Sequence, residues 1–193
     1  DVCESLLGLL DGRSQSGLST VPVEFTSTVG EVGTIISSFK ASRGTLVSER
    51  VGVGLVRALY ATYLSYTPPK GFSYSIPSYT DNRGVFCEML KTKDSGQFSF
   101  FTAHPGITRG GHYHHTKTEK FLVIKGMARF GFKNILTNEK YSKTISGGQP
   151  EIVETVPGWS HDICNIGTEE LIVMLWANEI FDPENPDTKA ATV

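Results

Sequence analysis

All five histidines of the chain fall between positions 104 and 161, and four of them sit in two short clusters. The first cluster runs Gly106-x5-His112-Tyr113-His114-x4-Glu119-x6-Gly126. Side chains alternate along a strand, so His112 and His114 share one face and Tyr113 takes the other. A turn through His115 to Thr118 then returns Glu119 to that face on the neighbouring strand. The second cluster, Pro157-Gly158-Trp159-Ser160-His161 with Asn165 four residues on, can supply a fourth group. A lone His-x-His pair is usually structural. Here both glycines, the glutamate and the later histidine complete one pattern, which points to a bound metal. Three imidazoles and a carboxylate suit Zn2+, Fe2+, Mn2+ or Ni2+, with one or two positions open for substrate or water.

Around these clusters the pattern is that of a β-fold. From Phe72 onward the chain is a series of short runs rich in β-branched and aromatic residues, parted by Gly, Pro, Asn and Asp. The runs are 72–76, 84–90, 97–102, 119–125, 128–132, 141–146, 152–156 and 171–176, the signature of a sandwich or barrel. The stretch from Phe181 to Asp187, with Pro183 and Pro186, reads as turn.

The first 70 residues differ. Val2, Leu6, Leu7 and Leu10 have helical spacing, and Asp11-Gly12 ends the pattern. Thr28-Val29-Gly30-Glu31 is a capping box ahead of Val32, Ile35, Ile36 and Phe39, one face of a second helix. A third covers 53–66, with Leu55, Leu59, Tyr63 and Tyr66 on a stripe, until Pro68-Pro69 stops it. Helices of this size either bundle or cap another domain.

With 39% hydrophobic residues, 193 residues can bury a core without covalent staples. A net charge of −2 offers no footprint for nucleic acid or an anionic membrane, and no apolar run reaches the ~20 residues that span a bilayer. Cys3, Cys87 and Cys164 are odd in number and widely spaced, which suits reduced thiols in the cytoplasm. The chain opens on Asp1 without a signal-peptide pattern, so it reads as a piece of a longer protein whose N-terminal partner is missing.

The two histidine clusters resemble the two cupin motifs, with His112, His114, Glu119 and His161 on that superfamily's four ligand positions. Pro157 stands four residues before His161, where the general pattern has five; the turn is shorter but no ligand is lost. The stretches Gly111 to Gly126, Glu154 to His161, Met174 to Pro183 and Asn185 to Thr188 resemble a narrower group. These are the C-terminal cupin domains of bifunctional UDP-sugar 3-epimerase/4-reductases of capsule and O-antigen biosynthesis, in the pathway toward UDP-N-acetyl-L-fucosamine. The likeness covers 72–193 and continues more weakly through Leu59 to Tyr66, which looks like the end of a short-chain reductase domain. It implies a mainly β chain, a cupin jelly-roll barrel over 71–193 preceded by a helical remnant of a Rossmann-type domain over 1–70. It further implies zinc in the cupin, NADPH in the missing N-terminal domain, a UDP-sugar substrate, and a homodimer.

Two nucleotide-like letter patterns fall away on inspection. Gly52-Val53-Gly54 lacks a preceding strand and a third glycine, and lies in an apolar helical pattern. Tyr66 and Lys70 have the spacing of a reductase Tyr-x3-Lys pair, but Pro68-Pro69 forbids the helical turn between them. This chain alone is not expected to reduce anything.

The chemistry implied by the resemblance is epimerisation at C3 of a UDP-4-keto-6-deoxy-N-acetylhexosamine through an enolate. His115 and His104 are the candidates for proton transfer, because strand alternation turns Tyr113 and Lys120 away from the ligand face. Trp159 and Trp176 are candidates to stack on uracil or sugar, and Arg109, Lys117 and Arg129 to meet the pyrophosphate. The ligand set alone leaves two alternatives: another cupin enzyme, such as a dioxygenase or sugar isomerase, or a non-catalytic metal-binding dimerisation module.

Overall fold

The computed structural model describes residues 2–12, 17, 18 and 20–193. Helix α1 is Val2–Leu10, and α2 is Val29–Thr45. The capping box forms as the letters imply: the Glu31 N–H donates to Thr28 Oγ1 (3.2 Å), and the Thr28 N–H donates to Glu31 Oε2 (2.8 Å). Helix α3 is Gly54–Ser65 and packs on α2, where buried Phe39 meets the rings of Tyr60 and Tyr63 at 5.0 and 5.7 Å. Tyr66 lies past the end of the helix and is exposed rather than on its packed stripe.

Strand β1 (Val47–Ser48) follows α2 after Leu46, which adopts a left-handed conformation that ends the helix. The remaining strands are β2 (Tyr79–Asp81), β3 (Gly84–Thr92), β4 (Gln97–Ala103), β5 (Thr108–Tyr113), β6 (Glu119–Lys125) and β7 (Met127–Asn134). After these come β8 (Lys140–Ser146), β9 (Ile152–Glu154), β10 (Trp159–Asn165), β11 (Leu171–Ala177) and β12 (Lys189–Ala190). They form two sheets. One runs β1-β3-β4-β11-β6-β9 with β2 on the flank of β3; the other runs β12-β5-β10-β7-β8.

Alternation decides what lies between the sheets. Phe121 and Val123 of β6, and Leu171, Val173 and Leu175 of β11, point inward with Phe101, Phe130, Ile145 and Ile163 to form one core. The inward series of β6 begins with Glu119, so the carboxylate enters the barrel in the same register as the apolar residues behind it.

The expected strand over 72–76 does not form; Tyr79–Asp81 is the strand instead. Phe72 and Tyr74 alternate as a strand would, but β3 is already paired by β1 in parallel and by β2 antiparallel. Tyr74 instead faces the Arg43 guanidinium, 5.1 Å from its ring centre. Strand β5, expected only around His112 to His114, and β10, absent from the expected runs, carry polar side chains at several inward positions. No helix among the described residues is long and apolar enough to cross a membrane.

Candidate metal centre

His112 of β5 lies directly opposite His161 of β10. Residues facing each other across an antiparallel pair share a face, so both rings enter the barrel. His114 stands just past β5, and residues 115–118 carry the chain across to Glu119. That crossing passes from one sheet to the other. Strands β5 and β6 are consecutive in the chain but are not hydrogen-bonded neighbours, so the ligands come from the two facing sheets rather than adjacent strands of one.

The donor atoms of His112, His114, Glu119 and His161 all lie within 4.8 Å of one another. Glu119 Oε2 is 3.3 Å from His114 Nε2 and 3.4 Å from His161 Nε2. The donor set fits one divalent ion: three nitrogens and a carboxylate oxygen, buried at one end of the barrel. The geometry also selects tautomers. His114 Nδ1 bonds the backbone carbonyl of Asp187, which can only accept, so Nδ1 carries a proton and Nε2 is the ring atom left to face Glu119 and the cluster.

Electrostatics agree. Burial, with the neighbouring His161, lowers the pKa of His112 to about 4, so its ring is neutral and able to ligate near neutral pH. For Glu119, burial pushes the pKa up, but hydrogen bonds from His114 and His161 and the Lys117 charge outweigh it and hold the carboxyl well below the usual range. Lys117 Nζ is 3.1 Å from Glu119 Oε1, and its side chain is almost fully buried.

The loop bearing these residues is held by the tail. Both carboxylate oxygens of Asp187 accept from the backbone: Oδ1 from His115 N (2.9 Å), and Oδ2 from Thr116 N (2.7 Å) and Lys117 N (2.9 Å). Beyond it, β12 pairs β5 at Tyr113 and His112. The sequence did not single out this tether; an Asp in a proline-rich turn carries no signal for a partner 70 residues away.

The cluster opens into a cavity of about 750 Å3, whose wall includes Tyr79, Arg83, Arg109, Lys117 and Phe181 besides His112 and Glu119. The proton-transfer candidates lie elsewhere. His115 is 59% exposed with its ring on Asp187 Oδ1 at 3.1 Å, and His104 is 54% exposed with Glu170 3.9 Å away; neither is in the cavity wall. Of the pyrophosphate candidates, Arg109 and Lys117 line the cavity while Arg129 lies 3.7 Å from Asp162 outside it. Trp159 lines a separate cavity of about 380 Å3, and the Trp176 indole N–H donates to the Ser95 carbonyl at 2.8 Å.

A two-sheet jelly roll with three histidines and a glutamate converging at one end is a cupin. Within that class, the model of the polysaccharide biosynthesis C-terminal domain matches residues 79–189, and the chain belongs to that family. It is 58% identical to the UDP-2-acetamido-2,6-beta-L-arabino-hexul-4-ose reductase of Pseudomonas aeruginosa, over the whole of this chain and 52% of the relative. Two crystal structures show the same fold over the whole chain at 37% identity. One is the capsular polysaccharide assembling protein CapF of Staphylococcus aureus (TM-score 0.89, 53% of that chain covered). The other is CapF with the inhibitor 3-isopropenyl-tropolone (TM-score 0.91, 56% covered). A more distant relative is the spore coat polysaccharide biosynthesis protein SpsL of Bacillus subtilis, 21% identical over 58% of this chain and 80% of the relative. The chain therefore spans about half the length of the Pseudomonas reductase and of CapF.

Proposed function

We propose that the cavity is a metal-dependent epimerase site. It would hold one divalent ion, zinc, on His112, His114, Glu119 and His161 and invert C3 of a UDP-4-keto-6-deoxy-N-acetylhexosamine for surface polysaccharide synthesis. The observation that carries this reading is the convergence of four donor atoms within 4.8 Å at the inner end of a substrate-sized cavity. Two comparisons support it. The compound in the Pseudomonas relative's name is a UDP-linked 4-ketose, whose ketone makes the neighbouring C3–H acidic. The inhibitor seen with CapF is a tropolone, whose adjacent oxygens form a bidentate chelator for divalent metals.

A divalent ion there supplies Lewis-acid stabilisation for charge developing on the ketone oxygen. The chain's own residues do the rest. The cavity walls fix the sugar so that C3 faces a proton-bearing side chain, and the buried setting strengthens each polar contact. His115 and His104 lie outside that wall, so in this reading the proton moves through a wall residue, and Tyr79 and Lys117 are the two to test. The 4-keto reduction belongs to an NADPH-binding part of a longer protein.

The test is incubation with the 4-keto sugar in D2O. Deuterium should enter C3, and entry should stop in His161→Ala and after chelation. Full metal occupancy with no exchange would sink the reading. In the same assay, Tyr79→Phe or Lys117→Gln should slow exchange at least roughly a hundredfold, the usual contribution of a positioned acid or base, while His104→Ala should leave it unchanged.

A further inference from the structure

Strand alternation places Arg109, three positions before His112, on the opposite face of β5, yet both side chains line one cavity. The register explains this. His112 pairs His161 and Arg109 pairs Ile163, so Gly110 and Gly111 together oppose Asp162 in a bulge. Both glycines have positive φ, +97° and +76°, which only glycine adopts without strain. The extra residue turns Arg109 inward, in line with His112. Their partners His161 and Ile163 are two positions apart, so by strand rise the Arg109 Cα lies about 7 Å along from that of His112.

The Arg109 guanidinium is held but not neutralised. Its Nε donates to the Thr102 carbonyl at 2.9 Å, and its plane lies 5.3 Å from the Phe101 ring centre. Its Nη2 is buried and has no protein partner. Every carboxylate of the cavity wall is already engaged: Asp81 with Arg83 at 2.6 Å, Glu88 with Lys91 at 2.8 Å, and Glu119 with Lys117 and the histidines. Arg109 is thus the wall cation with no ion pair of its own among the described residues; burial and then the Arg83 charge lower its pKa, and the Asp81 charge offsets them only in part. A guanidinium in the cavity wall that carries no carboxylate partner fits two oxygens of a phosphate.

We propose that Arg109, assisted by Arg83, is the anion subsite of the cavity and takes the diphosphate of a nucleotide-activated sugar, leaving the sugar ring to reach the metal centre. The proposal rests on the reading of the cavity as a UDP-sugar site, and binding measurements separate the two. The probes are UDP, uridine and inorganic pyrophosphate, titrated calorimetrically. Loss of a charged hydrogen-bonding partner should weaken UDP binding to zinc-loaded Arg109→Gln by roughly tenfold or more, with partial recovery in Arg109→Lys. Uridine affinity should not change. Pyrophosphate should still bind the metal-stripped wild type and fail to bind metal-stripped Arg109→Gln, which distinguishes an arginine subsite from an anion held by the metal alone. Wild-type UDP affinity in Arg109→Gln overturns the proposal, as does pyrophosphate binding that vanishes with the metal. Should Arg109→Gln fail to fold, Arg83→Gln, at a half-exposed position, decides: UDP affinity must fall, because Asp81 is then freed toward Arg109, and an unchanged affinity sinks the idea. Intact UDP binding without C3 exchange refutes the epimerase and leaves the subsite standing; intact exchange with unchanged UDP affinity in both variants refutes the subsite alone.

Discussion

At the scale of single residues, the donors that converge in the barrel are distinct from the residues that hold them in place. Asp187 is of the second kind, with its carboxylate accepting three backbone N–H groups and its carbonyl bonded to His114. Asp187→Ala leaves those amides without their acceptor and loosens the loop from His114 to Glu119. Metal affinity should fall about 10- to 100-fold, the usual effect of losing an outer partner of the ligands, as read by competition with a chromogenic chelator. An unchanged affinity would mean that the barrel alone sets the loop. Asn165 is a stability residue. It is fully buried, donates to the Ala103 and Glu169 carbonyls at 2.8 Å each, and accepts from Gly167 N at 2.9 Å. Asn165→Ala leaves the buried Ala103 carbonyl and the part-buried Glu169 carbonyl and Gly167 N–H without this partner and should cost about 2 kcal/mol in denaturant unfolding, with metal content retained. The convergence of His112, His114, Glu119 and His161 could be read from spacing, because metal chemistry restricts which residue types would serve and strand alternation restricts their order. Asp187 and Arg83 could not, since their roles depend on which segment folds back beside them.

At the scale of elements, the bulge in β5 connects the two ends of the cavity. A Cβ on Gly110 would stand 2.8 Å from the His161 carbonyl oxygen at a φ of +97°, so Gly110→Ala must shift either strand. It should cost at least about 2 kcal/mol and lower the occupancy of any divalent ion added, because His161 moves with its carbonyl; calorimetric melting and metal analysis check both. In the helical part, Thr28→Ala removes the capping box and should lower local stability by about 1 kcal/mol, visible in amide exchange of the first turn of α2 and not in the barrel. Helices were legible because caps and periodicity are local. So were strands such as β6 and β11, whose alternation is apolar inside and polar or half-exposed outside. Strand β5 was legible only through its histidine spacing, and β10 escaped, because histidines, an arginine and glycines stand where an apolar alternation would mark a strand. The stretch 72–76 was misleading for the opposite reason: its alternation is strand-like, but it joins no ladder and Tyr74 packs against Arg43 instead.

At the scale of the whole molecule, a metal that binds the folded barrel stabilises it by mass action. At free zinc a thousand times its dissociation constant, the gain is about 4 kcal/mol, so chelation should lower the melting temperature in proportion, and His161→Ala should abolish that dependence. A melting curve indifferent to chelator would exclude a bound ion. The homodimer implied by the resemblance remains a proposal, and sedimentation would reveal a single 21 kDa species if it is mistaken. The sequence by itself determined the four donors, the capped helices and the alternating strands. Each is dictated within a few residues, by ligand chemistry, hydrogen-bond reach along a helix or the period of a pleat. Only the tertiary structure decided that the donors come from two facing sheets, that the tail holds their loop, that the two tryptophans lie outside the cavity and that a bulge turns Arg109 into it. Those outcomes depend on which strands pair and in what register, and pairing is a contest among segments distant in the chain that no local pattern records.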